Sequence, residues 1–225
     1  MKINILLLAA GKGTRFKDYT DIPKPMIPVW GEPMYKYVLR SLHLENAYDL
    51  HGVFQESIAP KEEVGMHIHT LDYITDGAAS TAYEVISNHH RDEPWLIMDC
   101  DLIVRTGKLL FGPMSGIIVE KEHTCDPRAS YSLIRDNQIL CTAEKQVISP
   151  NRNVGMYYWS SSILFCECFE DAFMDDAKVN GEFYISPLYN YAIRKGETVV
   201  PFYADSFSPI GTPEDLEKYV HRTGV

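Results

Sequence analysis

The 225-residue chain is short of positive charge: 21 Lys and Arg stand against 31 Asp and Glu, a formal net charge of −10. That deficit excludes the basic footprint that non-specific nucleic-acid binding needs. No run of 18 apolar residues occurs, so the sequence offers no spanning helix and no membrane partner is expected. The apolar stretch 3–10 is too short for a secretory signal and runs straight into Gly11-Lys12-Gly13; it reads as a buried first strand. Cysteine is scarce and odd in number (Cys100, Cys125, Cys141, Cys166, Cys168), without framework spacing. This excludes a disulfide scaffold and points to reduced thiols in a cytoplasmic protein. Repeats, low-complexity tracts and Gly/Ser linkers are missing as well. One domain over 1–225 is expected, in two halves that meet near residue 112.

What is present is an ordinary globular composition, 45% hydrophobic and 23% charged. The charge is unevenly placed. Residues 1–40 carry seven basic side chains (Lys2, Lys12, Arg15, Lys17, Lys24, Lys36, Arg40) and three acidic ones (Asp18, Asp21, Glu32), leaving the rest of the chain at −14. A cationic region on an acidic protein suits a phosphorylated ligand, and a solvated basic helix face would look the same.

Strand and helix patterns alternate early. Strands are expected at 3–9, 50–55, 66–74 and 95–99, and helices at 34–45 and 80–90. Later, 117–120, 131–135, 139–144 and 156–165 read as strands without helical spacers, hence antiparallel pairings. Cys166-Glu167-Cys168 would continue that last strand as two same-face residues in a structural role. A helix is expected over 184–194, stopped at Gly196. The final helix has Thr212 as N-cap, Pro213 at N1, Glu214 and Asp215 in its first turn, and His221 and Arg222 near Gly224 at the other end. The class is α/β: a Rossmann-like mixed sheet flanked by helices, mostly parallel at first, with a β-rich second half. Ligands of such sheets bind beyond the carboxyl ends of the strands, so Gly11–Arg15 and Asp99–Asp101, each following a strand, should meet on one edge.

The stretch Leu8-Ala9-Ala10-Gly11-Lys12-Gly13-Thr14-Arg15-Phe16 has small residues that let backbone N–H groups approach an anion, and Arg15 adds a planar two-pronged donor. It lacks the third glycine of a dinucleotide fingerprint and the Gly-Lys-Ser/Thr of a Walker loop. Its companion is Pro23-Lys24-Pro25-Met26-Ile27-Pro28-Val29, where two prolines fix the backbone around one ammonium. Together these segments resemble the signature of the sugar-phosphate nucleotidyltransferases, the nucleoside-diphosphate-sugar pyrophosphorylases. Further similar segments follow in order: Asp76-Gly77-Ala78-Ala79, Asp99-Cys100-Asp101, Glu144-Lys145, Val154-Gly155-Met156-Tyr157, Gly181-Glu182-Phe183-Tyr184 and Gly211-Thr212-Pro213-Glu214-Asp215-Leu216. The short length and the forms of the later motifs resemble members found with capsule and surface-polysaccharide genes, among them cytidylyltransferases acting on non-sugar phosphates.

The resemblance implies a GT-A-like nucleotidyltransferase fold, with 1–112 as the nucleotide-binding half and 113–225 as the acceptor-binding half, and a reaction in which a phosphomonoester attacks the α-phosphate of an NTP and pyrophosphate leaves. Leu8, Ala10, Gly11, Gly13 and Thr14 would hold the triphosphate. Asp76, Gly77 and Ala78 would meet the base, for which a pyrimidine is favoured. Arg15 and Lys24 would neutralise the phosphates, and Asp101, with Asp99, would hold Mg²⁺. Glu144, Lys145, Gly155, Tyr157, Glu182 and Tyr184 would line the pocket of a small phosphorylated acceptor. The pattern departs from many relatives in one place: Pro209 stands where a second metal aspartate is common, which leaves Asp99, Asp205, Glu182, water or substrate oxygens to complete the shell.

Other readings stay open. Asp99-Cys100-Asp101 also fits a GT-A-type glycosyltransferase, and Pro209 is compatible with a non-catalytic nucleotide-binding module. Tyr157-Tyr158-Trp159 offers an aromatic cage for a quaternary amine, although strand packing accounts for it equally. His67-Ile68-His69 has same-face spacing on a strand, but with no third ligand near in sequence it reads as edge-strand histidines. A homo-oligomer is compatible with the sequence.

Overall fold

The computed structural model describes residues 2–42, 47–106, 111–121 and 126–223. Expectations that fall on Cys125, on Gly224 and on the 43–45 end of the first helix lie outside the described residues.

In chain order the first half holds β1 (Ile3–Ala9), β2 (Pro28–Val29), β3 (Glu32–Pro33), α1 (Met34–Arg40), β4 (Tyr48–Gln55), β5 (Met66–Leu71), α2 (Ala78–Ile86), β6 (Trp95–Asp99) and β7 (Leu102–Arg105). The second half holds β8 (Gly116–Lys121), β9 (Ser130–Arg135), β10 (Gln138–Glu144), β11 (Asn151–Trp159), α3 (Ser162–Met174), α4 (Leu188–Arg194), β12 (Val200–Tyr203), β13 (Ser206–Pro209) and α5 (Pro213–Thr223). A single mixed sheet runs β10-β9-β11-β6-β1-β4-β5, with β8 and β12 branching from β11. The pairs β6-β1, β1-β4 and β4-β5 are parallel; β11 joins β6 antiparallel and carries the sheet into the second half. The expected mixed α/β sheet flanked by helices is therefore the observed one.

The central strand β1 is buried throughout and, Asn4 apart, apolar, because helices cover both faces. Ile3, Ile5, Leu7 and Ala9 pack toward α1 and α5, through Met34, Tyr35, Val38, Leu216 and Tyr219. Leu6 and Leu8 point the other way, toward Ala82, Val85 and Ile86 of α2, Phe165 and Phe169 of α3, and Leu188 and Tyr189 of α4. Tyr158 and Trp159 are fully buried in these cores, so strand packing, not an aromatic cage, accounts for them.

Several boundaries differ from the sequence expectations. The strand expected to run through residue 165 ends at Trp159, and Cys166-Glu167-Cys168 lies on α3. Ser161 makes the switch: its side chain accepts from the Leu164 N–H at 3.1 Å while its hydroxyl donates to Asp92. Two residues apart on a helix point to different sides, so Cys168 is buried while Cys166 is partly exposed, and they are not a same-face pair. α2 stops at Ile86 because Ser87 and Asn88 turn their side chains onto the carbonyls of Tyr83 and Glu84. α4 begins only after Pro187, whose ring disfavours helix in the residue before it. β5 ends at Leu71, and the short strands β7, β12 and β13 carried no periodic signal. The last helix is as expected: the Thr212 hydroxyl accepts from the Asp215 N–H and donates to its carboxylate.

Candidate functional site

β1 and β6 are neighbours in register Leu8↔Asp99, so the loops after them share the carboxyl edge of the sheet. The loop after β1 turns at Gly13, where φ is 60° and an added Cβ would lie 2.9 Å from the Lys24 Cβ. Only glycine tolerates both the left-handed backbone and that approach. The Pro23–Pro25 segment is thereby packed against the Gly11–Thr14 loop, and Lys24 enters the site from it. Its ammonium donates to the Asp101 carboxylate at 2.5 Å, and both side chains are largely buried. Gly211 closes the other side of Asp101: an added Cβ would lie 2.4 Å from Asp101 Oδ2.

The electrostatics follow from this crowding. Burial raises the Asp101 pKa, but the Lys24 charge and hydrogen bond, with help from Arg15, outweigh it and hold the group below the usual carboxylate range. Asp99 has the opposite fate. Burial first, then the Asp101 charge, push it up to about 7 against the pull of Lys24. Glu144 is also raised to about 7, by burial, in spite of Lys145 and a hydrogen bond from Ser130. Asp99, titrating near neutral pH beside ionised Asp101, makes with it an oxygen donor pair that suits a hard divalent cation.

Asp99 and Asp101 open onto a cleft of about 1040 Å³ whose wall also includes Arg15, Lys145, Gly155 and Tyr157. Lys145 adopts φ of 55°, uncommon for a non-glycine residue. The turn brings its ammonium onto the Tyr184 hydroxyl and 4.3 Å from that ring's centre. Tyr184 in turn donates to Glu182 at 2.6 Å. Asp76, Gly77 and Ala78 stand beside this group: the Phe183 N–H donates to the Asp76 carbonyl, and the Ala79 N–H to the Phe183 carbonyl. Asp76 is paired with Lys178 at 2.8 Å and faces a second, more apolar cavity of about 700 Å³ with Tyr83 and Phe183. Of the remaining loop residues, Ala10 accepts from Gln55 through its carbonyl, Gly11 and Thr14 are exposed, and Leu8 lies beside Asp99 on the neighbouring strand.

Pro209 lines the same cleft as Asp99 and Asp101 and offers no ligating side chain. Asp205 faces a different cavity with Tyr37 and Arg40, so it does not substitute. The basic N-terminal region is only partly committed to the site: Lys2, Lys36 and Arg40 are paired with Asp49, Glu63 and Glu32. Sequence reasoning missed the polar floor of the cleft. Asn153 donates to Ser130 and to Ser186, and Ser132 donates to Asn153. The sequence signal was polar residues at inward strand positions, where a buried sheet face should be apolar.

Comparison with known proteins fits this arrangement. Residues 5–110 match the MobA-like NTP transferase domain. This region carries a nucleotidyltransferase domain. It spans the Gly11–Arg15 loop, Lys24, the Asp76–Ala78 loop and the Asp99–Asp101 pair. The bifunctional protein GlmU of Methanococcus maripaludis is 27% identical over 182 residues, covering 72% of this chain and 41% of its own length. The chain thus spans about two fifths of the curated relatives it matches. A nucleoside-diphosphate-sugar pyrophosphorylase from Vibrio cholerae RC9 superimposes with a TM-score of 0.78 at 16% identity, over 97% of this chain and all of that one. The CTP:phosphocholine cytidylyltransferase of Streptococcus pneumoniae gives 0.76 at 17% identity over 99% of each. The inositol-1-phosphate CTP transferase of T. maritima gives 0.74 at 17% over 97% and 93%. Among the described residues, no helix is long and apolar enough to cross a membrane.

Proposed function

We propose that the chain is a nucleotidyltransferase that joins an NTP, with a pyrimidine favoured, to a sugar phosphate or other small phosphomonoester and releases pyrophosphate. The observation that carries this reading is the Lys24–Asp101 pair lying against Asp99 beneath the glycine loop, at the edge where two strands end. In the reaction an acceptor phosphate oxygen forms a bond to the α-phosphorus, the bond from that phosphorus to the bridging oxygen breaks, and pyrophosphate departs with the electron pair. Little covalent work falls to the protein, so positioning and charge neutralisation dominate.

The backbone of Ala10–Thr14 cradles the triphosphate, and Arg15, exposed at the cleft, meets the leaving pyrophosphate. Lys24 neutralises the α-phosphate; to do so its ammonium shares or leaves Asp101. Asp99 and Asp101 are the residues that would hold Mg²⁺, with Pro209 contributing nothing to the shell. Held there, the ion would supply positive charge to offset that of the phosphates. Lys145 and Tyr184 receive the acceptor phosphate, while Glu144, Glu182, Gly155 and Tyr157 shape the pocket for the rest of it. The Asp76–Ala78 loop meets the base.

The pyrimidine preference is supported by fold neighbours that include two CTP-dependent transferases and a UTP-bound UGPase from acinetobacter baumannii. A role in capsule or surface-glycan precursor synthesis, in the cytoplasm, is the biological setting that fits such a product. The test is a pyrophosphate-release screen of the four NTPs against sugar 1-phosphates, phosphocholine and inositol 1-phosphate with Mg²⁺. The reading expects release only with an NTP and an acceptor together. Absence of release from every pair overturns it.

A further inference from the structure

Four histidines converge at the far edge of the sheet, away from the nucleotide cleft. His51 lies on β4, opposite Leu6 of β1 and in register with His67 of the edge strand β5. His69 follows two residues later on the same face of β5, and His89 arrives from the segment after α2. The His51 and His69 rings meet through Nδ1 and Nε2 at 3.0 Å. His51 also stacks on His67 with centroids 4.8 Å apart, and His89 approaches it at 5.2 Å. One ring nitrogen from each of His51, His69 and His89 lies within 4.8 Å of the others. Trp95 backs the group against both His51 and His89.

From this geometry we infer that His51, His69 and His89 form a binding site for a divalent transition metal, best matched by Zn²⁺, which the nucleotidyl-transfer reaction does not use. Three imidazole nitrogens suit a borderline ion such as Zn²⁺ and not Mg²⁺ or Ca²⁺, which prefer oxygen. Three protein ligands leave one tetrahedral position, for water or for the exposed His67. At metal–nitrogen distances of about 2.0–2.1 Å, tetrahedral ligands stand about 3.3 Å apart. The His51–His69 pair is already there to within a few tenths of an ångström. His89, half-exposed, has to swing inward by at most about 1.5 Å, within the reach of its side-chain torsions.

The protonation state favours ligation. Burial and the neighbouring rings push His51 down to about 3 and lower His69 and His89, so all three offer lone pairs at neutral pH. The acidic groups nearby are Asp49, paired with Lys2, and Glu93, which accepts from Asn4. The histidines of β4 and β5 lie two to four residues before the carboxyl ends of their strands, roughly 7–13 Å along the sheet from the edge that carries Asp99 at about 3.3 Å per residue. A metal here ties the edge strand β5 to β4 and to the chain after α2.

The test uses untagged full-length protein, stripped with a chelator and saturated with Mg²⁺ so that Asp99 and Asp101 are occupied. Zn²⁺ is titrated by calorimetry, and Co²⁺ by its visible d–d absorption. One Zn²⁺ per chain, a tetrahedral nitrogen-type Co²⁺ spectrum and an upward shift of Tm are expected. His69→Ala and His89→Ala, both at partly exposed positions, each weaken binding at least about tenfold, while His90→Ala does not. Binding that is absent up to millimolar metal, or that survives both His69→Ala and His89→Ala unchanged, overturns the site. Neither outcome bears on pyrophosphate release.

Discussion

Asp99→Asn raises the stability of the metal-free protein at alkaline pH and has little effect in acid. The folded-state carboxyl titrates near 7, against 3.8 for an unperturbed aspartate, because it is buried and lies beside ionised Asp101. Between those values the folded chain keeps a proton that the unfolded chain has released, so stability falls as pH rises through the window. The full shift corresponds to about 4 kcal/mol. Somewhat under half of that has developed by pH 5, since the unfolded carboxyl is already ionised there, and roughly 2–3 kcal/mol more develops between pH 5 and 8. Asparagine has the same shape and does not titrate, so it escapes the loss. Glu144 also titrates near 7 but is present in both proteins and subtracts out. For a chain of this size about 1 kcal/mol moves Tm by about 2–4 °C. Thermal melts in chelator should therefore show the gap between Asp99→Asn and wild type widening by about 5–10 °C from pH 5 to pH 8. A gap that stays constant across that range refutes the buried, charge-crowded placement of Asp99. The same variant should turn over more slowly, a more stable protein with an impaired site.

Other consequences follow from single contacts. Ser161→Ala removes the cap of α3 and costs about 1 kcal/mol, read as a fall in Tm of about 2–4 °C with turnover unchanged. Tyr184→Phe deletes the hydroxyl between Lys145 and Glu182; acceptor KM should rise about tenfold or more while KM for the NTP stays put. Gly211→Ala places a methyl against the Asp101 carboxylate and should lower kcat more than it lowers Tm, since Asp101 must shift to admit it.

How much was legible in the sequence depended on how local the physics is. β1 and β6 were readable because burial on both faces leaves a nearly continuous apolar run, broken only by Asn4 and the terminal Asp99, and α5 because cap, proline and charged turns lie together. The convergence of Gly11–Arg15 with Asp99–Asp101 followed from the rule that loops after parallel strands share an edge. α3 was hidden because only Ser160-Ser161-Ser162 separates apolar residues on both sides, so strand and helix ran together. His51 gave no signal of its own inside β4. Only the parallel register of β4 and β5 and the return of the chain after α2 bring it against His69 and His89. The same non-local cause hid the Ser130–Asn153–Ser186 floor, assembled from β9, β11 and the residues before α4.

The most direct measurement is the rate of acceptor-dependent pyrophosphate release by Lys24→Met beside wild type, with both proteins shown by melting to be folded. Methionine keeps most of the side-chain volume and deletes the charge that the account places on the α-phosphate. A loss of at least about 10²-fold in kcat is the predicted result, the scale of removing one preorganised electrostatic donor. A rate within about threefold of wild type would contradict the placement of the chemistry at the Lys24–Asp101 pair.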